Sequence, residues 1–317
     1  MSGKYQGVIL AAGKGSRLQP FSEHSPKPLL PILNRPLMEY QIRSMVQVGI
    51  TDILIVIGHL GQAFRTTLGD GSQLGAKITY VDQTSLLGIA HALGRLEKFI
   101  TRPFLLFLGD IFFLPQDISP LLAVLEAGDC DGVLATKIEP NPESIKRNFA
   151  VICPEGSRRV TRVIEKPRYI VNNIKGCGLY LFTLPIFDAI RRTPRTAIRD
   201  EYEITDSIQM FIDDGYRLNH LPMVEEDLNL TFGQDLQLIN LFELKRQGLP
   251  HLIGQNVHMA PGTVVENAVI GDNVTIRHPI RITDSVIFAN TVIDRTTDMP
   301  GMIATPEFTV VAKDYGG

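Results

Sequence analysis

The sequence contains little cysteine, and its few thiols are far apart. Among the 317 residues there are 3 cysteines, none of them part of a CxxC pair: Cys130, Cys153 and Cys177. An odd number of widely spaced cysteines argues against a disulfide framework and against a zinc site built on thiolates. We therefore expect a protein of a reducing compartment, with the cytoplasm as its location.

A charge excess and a long apolar run are also absent. The formal net charge is -3, whereas binding of DNA or RNA requires a clustered basic surface. No stretch approaches the ~20 apolar residues that a membrane-spanning helix needs. The apolar stretch near the N-terminus is too short for the core of a signal peptide. The sequence thus predicts neither a nucleic-acid partner nor a membrane partner.

What the sequence does contain is an alternation of apolar strands with helical segments. Hydrophobic residues make up 44% of the chain, enough for a sizeable core, and the length suits two domains of roughly 100–200 residues each. Residues 36–48 carry apolar side chains at helical spacing, and four short apolar runs have the composition of buried strands: 7–12, 53–57, 78–81 and 104–108. This order predicts an α/β domain around a mainly parallel sheet, where ligands bind at the carboxyl ends of the strands.

The last quarter of the chain has a different periodicity. Apolar residues recur there every six positions in two sets: Val264, Ile270, Ile276, Ile282 and Phe288, and Val274, Ile280, Val286 and Val292. A six-residue period predicts a short left-handed parallel β-helix built from hexapeptide turns. We place a boundary at Leu249–Pro250, giving domains 1–248 and 249–317. Because a short solenoid exposes apolar ends, we expect it to pack on the main domain or on another subunit.

A glycine-rich segment follows the first predicted strand. Residues 10–18 read LAAGKGSRL, and residues 25–31 read SPKPLLP. Gly13 and Gly15 allow backbone N–H groups to approach phosphate oxygens, and Arg17 and Lys27 add positive charge. The segment matches neither a Walker A loop nor a dinucleotide fingerprint. Spacing alone leaves open a phosphate-binding loop and an ordinary strand-to-turn junction.

The two blocks together resemble the signature of the sugar nucleotidyltransferases, in particular the glucose-1-phosphate thymidylyl- and uridylyltransferases. The resemblance covers the first ~240 residues. It implies a Rossmann-like nucleotidyltransferase domain, dependence on Mg²⁺ and a homo-oligomer. The implied substrates are a pyrimidine nucleoside triphosphate, dTTP or UTP, and a hexose 1-phosphate, glucose 1-phosphate above all. It assigns nucleotide binding to Leu10, Ala12, Gly13, Gly15, Arg17, Lys27, Gln83, Gly88 and Asp110.

Three of those residues lie beyond the glycine-rich segment. Gln83 matches a position whose amide contacts a pyrimidine base, since an amide supplies both a donor and an acceptor. On its own, Gln83 reads as a solvent-facing residue after a strand. Gly88 matches a glycine that lies against the base. Asp110 matches a carboxylate that holds Mg²⁺ on nucleotide phosphates, and by itself it reads as a turn cap.

The resemblance also assigns a sugar side and a catalytic set. The sugar-binding positions are Glu165, Lys166, Asn173, Gly178 and Glu203. A charged triplet such as Glu165-Lys166-Pro167 is otherwise an ordinary solvated turn. The catalytic residues would be Arg17, Lys27, Asp110 and Lys166, which position the reacting phosphates and neutralise their charge.

The second metal ligand departs from the family pattern. The family shows W-x-D-x-G-T-P-x-D-L, the matching residues 227–236 read DLNLTFGQDL, and the chain has 0 tryptophans. Asn229 falls on the aspartate position, and its carbonyl oxygen can ligate Mg²⁺ with one less negative charge. Alternatively Asp227 replaces it, or the site is weakened.

Two alternatives for the function follow. One is UTP-dependent transfer to another sugar 1-phosphate, such as N-acetylglucosamine 1-phosphate. The other is a non-catalytic regulatory or binding subunit of the same fold. The histidines do not distinguish these functions, because none of them has metal-ligand spacing: His91, His251, His258 and His278. We expect most of them to be structural or exposed.

Overall fold

The computed structural model of the chain describes residues 3–58, 60–83, 85–196 and 200–316. The chain forms two compact units, the first from Met1–Gly13 and Tyr40–Asp227, the second from Lys14–Glu39 and Leu228–Gly317. Each unit is therefore built from two separate stretches of chain. The predicted domains 1–248 and 249–317 stay a prediction. Among the described residues, no helix is both long enough and apolar enough to cross a bilayer.

The first unit contains a nine-stranded sheet. Its strands, in chain order, are β1 (Gln6–Ala11), β2 (Asp52–Ile57), β3 (Lys77–Asp82), β4 (Phe104–Leu108), β5 (Gly132–Ile138), β6 (Phe149–Ile152), β7 (Arg162–Glu165), β8 (Ile174–Phe182) and β9 (Leu218–Pro222). The spatial order is β7-β6-β8-β4-β1-β2-β3, with β5 paired to β8 and to β9. The predicted α/β architecture is confirmed.

Four neighbouring strands form the parallel part of this sheet. β1 pairs in parallel with both β2 and β4, and β2 pairs in parallel with β3. β1, β2 and β4 are apolar along most of their length because both faces of the sheet are covered there, whereas β3 is an edge strand in which only Ile78 is buried. β8 then runs antiparallel to β4. The carboxyl ends of β1 to β4 consequently share one edge of the sheet, called the carboxyl edge below.

Helices connect the strands of the first unit. They are α1 (Leu37–Gln47), α2 (Gly61–Leu68), α3 (Ile89–Gly94), α4 (Ser119–Glu126), α5 (Ile186–Arg192) and α6 (Ile204–Asp213). One core cluster joins β4 and β8 to α5 and α6, and it includes Phe104, Phe182, Phe187 and Phe211, each at most 4% exposed. Burying an aromatic side chain of this size contributes about 1.5–3 kcal/mol, so this cluster anchors the antiparallel half of the sheet.

The second unit contains α7 (Gly233–Arg246) and a parallel β-helix of three sheets. The first sheet is Leu252–Ile253, Val269–Ile270, Val286–Ile287 and Met302–Ala304. The second is His258–Met259, Thr275–Ile276 and Val292–Ile293, and the third is Val264–Glu266, Arg281–Thr283 and Met299–Pro300. The predicted β-helix is confirmed.

Each coil of the β-helix comprises 17 residues, one fewer than three hexapeptides. Leu252 pairs with Val269 and His258 with Thr275, each 17 residues on. The buried core follows steps of six, six and five residues through Ile270, Ile276, Ile282, Ile287, Ile293, Met299 and Ala304. A strict six-residue pattern drifts out of this core, which is why Val264 is 37% and Val292 is 52% exposed.

Left-handed backbone conformations turn the corners of the coils. Asn256, Asn273 and Asn290 stand 17 residues apart with φ of 53°, 59° and 62°. Their side chains form a ladder, with Asn256 Nδ2 donating to Asn273 Oδ1 at 3.2 Å and Asn273 Nδ2 to Asn290 Oδ1 at 3.0 Å. Asparagine suits this position because it tolerates φ > 0 better than most side chains.

The β-helix is covered within its own unit. The side chain of Asn240 in α7 is fully buried, accepts from Leu33 N at 2.8 Å and donates to Pro31 O at 2.9 Å. Asn34 Nδ2 donates to Ile270 O at 2.8 Å. These contacts fasten the 14–39 segment to α7 and to the coils. At the far end, strand Thr309–Val311 pairs antiparallel with Met302–Ala304 and closes the last coil.

Candidate functional site

The carboxyl edge collects three of the predicted nucleotide-binding positions. Gly13 follows β1, Gln83 follows β3 and Asp110 follows β4. Because β1 to β4 are parallel neighbours, these residues lie along one edge, where open α/β sheets bind ligands. The edge is tightly built: a Cβ on Gly58, after β2, would lie 2.6 Å from Ala12 O. Leu10 O accepts from Gly109 N at 2.9 Å, so β1 also supports the turn that carries Asp110.

A buried glutamine fixes the turn around Asp110. Gln41 Nε2, from α1, donates to both Leu108 O and Ile111 O at 2.9 Å. On the other side, Gly178 stands in an irregularity of β8 with φ 68°. A Cβ there would lie 2.8 Å from Ile111 Cδ1. The backbone before and after Asp110 is thus held in place, as the carboxylate of a metal site would require.

Gln83 lies in a small polar cluster that the sequence did not reveal. Its side chain is buried, and Nε2 is 2.9 Å from Ser85 O and 3.2 Å from His91 Nδ1. The His91 ring stacks on Tyr202 with 6.0 Å between centroids. Burial, assisted by the charge of Arg95, lowers the pKa of His91. His91 therefore contacts a predicted base-binding residue.

Gly88 permits a close approach between two loops of this cluster. Its φ is 105°, and a Cβ on it would lie 2.5 Å from Tyr202 O and 2.8 Å from Tyr202 N. Those backbone groups are already engaged, since Tyr202 N donates to Leu87 O at 2.7 Å and Ala90 N donates to Tyr202 O at 3.0 Å. A side chain at position 88 would force the Tyr202 segment away.

We therefore expect Gly88→Ala to lower nucleotide affinity at least about tenfold, because it displaces Tyr202 and with it His91. Gly128→Ala is the matched control. Gly128 also has a positive φ, 79°, but a Cβ on it meets nothing within 4 Å. Both variants carry a backbone cost for alanine at a positive φ, and the cost is larger at position 88, where φ of 105° and ψ of 172° fall in a region nearly exclusive to glycine. Titration calorimetry measures the affinity of each variant for UTP and dTTP. Equal affinities in the two variants would contradict the steric argument.

The predicted sugar-binding residues of the first unit lie near the other half of the sheet. Burial raises the pKa of Tyr180 in β8, and the charges of Glu165, Cys177 and Glu203 raise it further. Thr205 Oγ1 donates to Glu165 Oε2 at 3.4 Å. Asn173 is exposed, and its O accepts from Glu139 N at 2.8 Å.

Lys166 has an unusual backbone. It is exposed and adopts a φ of 42°, while its N–H donates to Asn148 O at 2.7 Å. A non-glycine residue in the left-handed region costs of order 1–3 kcal/mol and persists where the surroundings determine it, often at functional sites. Other non-glycine residues of the described chain, such as Leu33 and Asp200, also have a positive φ, so the role of Lys166 stays a prediction.

The remaining predicted residues belong to the second unit. Gly15 has φ 68°, its O accepts from Ser22 Oγ at 2.8 Å, and a Cβ on it would lie 3.0 Å from Lys27 Cγ. Lys27 is only 8% exposed. The Arg17 guanidinium lies 5.9 Å from the centroid of the Phe232 ring. Asn229 is exposed and ends the strand Glu226–Asn229.

Asp227 is engaged in a buried ion-pair cluster. Lys175 Nζ lies 2.7 Å from Asp227 Oδ1 and 3.0 Å from Glu139 Oε2, and all three side chains are at most 11% exposed. Although burial disfavours the charged lysine, the Asp227 carboxylate raises the pKa of Lys175 above its usual value. A carboxylate committed to a buried lysine is a poor candidate for a metal. This argues against Asp227 as the second ligand, and the assignment of Asn229 stays a prediction.

The donor set suits a magnesium ion shared with a substrate. Within residues 3–58, 60–83, 85–196 and 200–316, no group of three or more His, Cys, Asp or Glu side chains could hold a metal by itself. Mg²⁺ is commonly bound by one or two protein oxygens, with substrate phosphates and water completing its shell. The half-exposed Asp110, at the carboxyl edge, fits that mode of binding.

Comparison with known proteins identifies the class. The nucleotidyl transferase family matches residues 6–227. The chain belongs to this family, and the resemblance seen in the sequence is confirmed.

Relatives and a solved structure narrow the comparison. A low-salt glycan biosynthesis nucleotidyltransferase of Haloferax volcanii is 37% identical over 68% of this chain and 59% of its own length. A glucose-1-phosphate thymidylyltransferase of Streptomyces antibioticus is 30% identical over 90% of this chain and 77% of its own length. A structure from Bacillus anthracis, described as a glucose-1-phosphate thymidylyltransferase, has a TM-score of 0.67 at 28% identity, covering 75% of this chain and 94% of its own. The chain thus spans less than two thirds of the haloarchaeal relative.

Proposed function

We propose that this protein transfers a nucleotidyl group from dTTP or UTP to a hexose 1-phosphate, glucose 1-phosphate above all, and releases pyrophosphate. The observation that carries the proposal is the carboxyl edge, where Gly13, Gln83 and Asp110 follow three parallel strands of one sheet. A glycine, a base-reading amide and a carboxylate are the groups a nucleoside triphosphate requires. Relatives named as glucose-1-phosphate thymidylyltransferases support this choice of substrates.

In the proposed reaction, an oxygen of the sugar phosphate attacks the α-phosphorus in line as the bond to pyrophosphate breaks. Such a reaction requires positioning and neutralisation of charge more than covalent help from the protein. We assign the pyrophosphate to Arg17 and Lys27, with Gly13 and Gly15 allowing close backbone approach. Lys166 holds the sugar phosphate near the α-phosphate against their mutual repulsion.

The remaining residues orient the two substrates. On the nucleotide side, Leu10 and Ala12 lie near the base, Gly88 lies against it, and Gln83 reads its edge. On the sugar side, carboxylates and an amide accept or donate hydrogen bonds with hydroxyls, and glycine lets the backbone approach the ring. These residues are Glu165, Asn173, Gly178 and Glu203.

Asp110 and Asn229 are the residues we assign to Mg²⁺. When bound, the ion would neutralise negative charge on the reacting phosphates. Asp110 contributes a carboxylate oxygen, and Asn229 contributes an amide oxygen without charge. We also propose that the protein acts as a homo-oligomer, which light scattering on a sizing column tests directly.

The deciding experiment is pyrophosphate release with Mg²⁺, for dTTP, UTP, CTP, ATP and GTP against a panel of sugar 1-phosphates that includes N-acetylglucosamine 1-phosphate. We expect turnover with dTTP or UTP and glucose 1-phosphate. Turnover with N-acetylglucosamine 1-phosphate alone would favour the alternative, a UTP-dependent transferase that acts on that sugar phosphate. Absence of turnover with every pair, in protein that binds nucleotide, would overturn the proposal in favour of a regulatory or binding subunit.

A further inference from the structure

The orientation of the Gln83 amide is determined by its neighbours. A backbone carbonyl can only accept a hydrogen bond, so the amide atom 2.9 Å from Ser85 O must be the NH₂ group. The same nitrogen lies 3.2 Å from His91 Nδ1. An NH₂ group has two hydrogens, and this geometry directs one to Ser85 and the other to His91.

The contact with Gln83 also determines the state of His91. Because Nε2 of Gln83 donates, His91 Nδ1 must present a lone pair, and the neutral ring then carries its proton on Nε2. The ring is held in place by its stack on Tyr202, whose plane lies at 25° to it. Tyr202 is in turn fixed by backbone hydrogen bonds with Leu87 and Ala90, at 2.7 and 3.0 Å.

With both amide hydrogens engaged, Gln83 offers a ligand its acceptor, Oε1. Uracil and thymine carry a hydrogen on N3 and therefore donate there. Cytosine has a lone pair at N3 and requires a donor instead. A site built to accept a hydrogen bond rejects an analogue that cannot donate one, because buried polar groups are then left unpaired.

We propose that His91 is a positioning residue for base specificity: by accepting from Gln83, it keeps the amide oxygen towards the base, so that uracil and thymine bind and cytosine is rejected. This deepens the proposed function and rests on its assignment of Gln83 to the base. Ser85 O restrains the amide from one side, and His91 supplies the second restraint that prevents it from turning over.

Two variants of position 91 separate hydrogen bonding from packing. His91→Phe keeps a ring that can stack on Tyr202 but removes the acceptor. His91→Asn removes the ring but keeps an acceptor, because Oδ1 of asparagine stands at the same bonded distance from the backbone as Nδ1 of histidine. If the acceptor matters, the phenylalanine variant loses discrimination and the asparagine variant retains it.

The measurement is the ratio of kcat/KM for UTP over CTP and for dTTP over dCTP, which does not depend on the fraction of active protein. We expect His91→Phe to lower each of these ratios by about tenfold, the scale of one hydrogen bond. In His91→Asn, each ratio should stay within about threefold of its wild-type value. Retention of the ratio by His91→Phe overturns the inference. Equal loss in both variants also overturns it, because the ring and not the acceptor would then be responsible.

Failure of the proposed function is distinguishable from failure of this inference. Dissociation constants for UTP and CTP, measured by titration calorimetry on wild type and both variants, give the same ratio without turnover. If the protein lacks turnover but shows the predicted ratios of dissociation constants, the role of His91 is supported and the proposed transferase reaction is contradicted. Binding that does not distinguish UTP from CTP in the wild type would overturn the inference.

Discussion

Replacing Asp110 with asparagine should lower kcat/KM for pyrophosphate release by about 100-fold or more, the loss typical when one charge-stabilising group is removed. The side chain keeps its size and its place in the turn that Gln41 and Gly178 define. What changes is the charge. A neutral amide binds Mg²⁺ more weakly than a carboxylate, so the Mg²⁺ concentration for half-maximal rate should rise as well.

Asp117→Asn is the control for the Asp110 variant. Asp117 is an exposed carboxylate whose Oδ1 accepts from Ser119 N at 2.9 Å, at the start of α4. Its replacement removes the same charge and should leave turnover and Mg²⁺ dependence near wild type. A turnover in Asp110→Asn close to that of Asp117→Asn would remove Asp110 from the metal site. Thermal melts of both variants show whether the fold is intact.

The second large effect should be on stability. Lys175→Met should lower the free energy of unfolding by about 3–5 kcal/mol, the range for breaking a buried ion pair from one side. Methionine fills a similar volume, but Glu139 and Asp227 lose the ammonium group that lies 3.0 and 2.7 Å from their oxygens. Two like charges then share a buried space without the ammonium group that paired with both. Urea unfolding followed by circular dichroism measures the change.

Two comparisons isolate the buried charge as the cause. Lys4→Met breaks an ion pair with Glu126 whose side chains are 56% and 25% exposed, so it should cost less than about 1 kcal/mol. Adding Glu139→Gln and Asp227→Asn to Lys175→Met removes the two buried carboxylate charges and should recover part of the loss. If the free energy of unfolding of Lys175→Met lies within about 1 kcal/mol of the wild-type value, the cluster contributes little to stability.

The strands of the parallel sheet could be predicted because their signal is local. The apolar run 104–108 coincides with β4, and the other three runs lie within one residue of β1, β2 and β3. The position of β8 beside β4 could not be predicted, because pairing across more than sixty residues leaves no trace in one sequence. The same is true of the Lys175–Asp227 pair, whose members stand 52 residues apart.

The candidate site was predictable only where residues form a motif. Gln83 and Asp110 were found through the family signature and their position after a strand. His91 was missed because a lone histidine on a short helix has no distinctive spacing. Its contact with Gln83 depends on the turn that contains Ser85 and Gly88, which folds α3 back towards the end of β3. A lone histidine eight residues after a base-reading amide, across a glycine turn, is the signal available in hindsight.

The 17-residue coil sets the unit in which the C-terminal part of this chain can change length. Duplicating or deleting 17 residues would add or remove one rung and leave the asparagine ladder of 256, 273 and 290 in register. Any other insertion within a coil must bulge out at a corner, since the three sheets share one spacing. Homologous chains should therefore differ here by whole rungs, with the closing strand Thr309–Val311 carried along intact at the end.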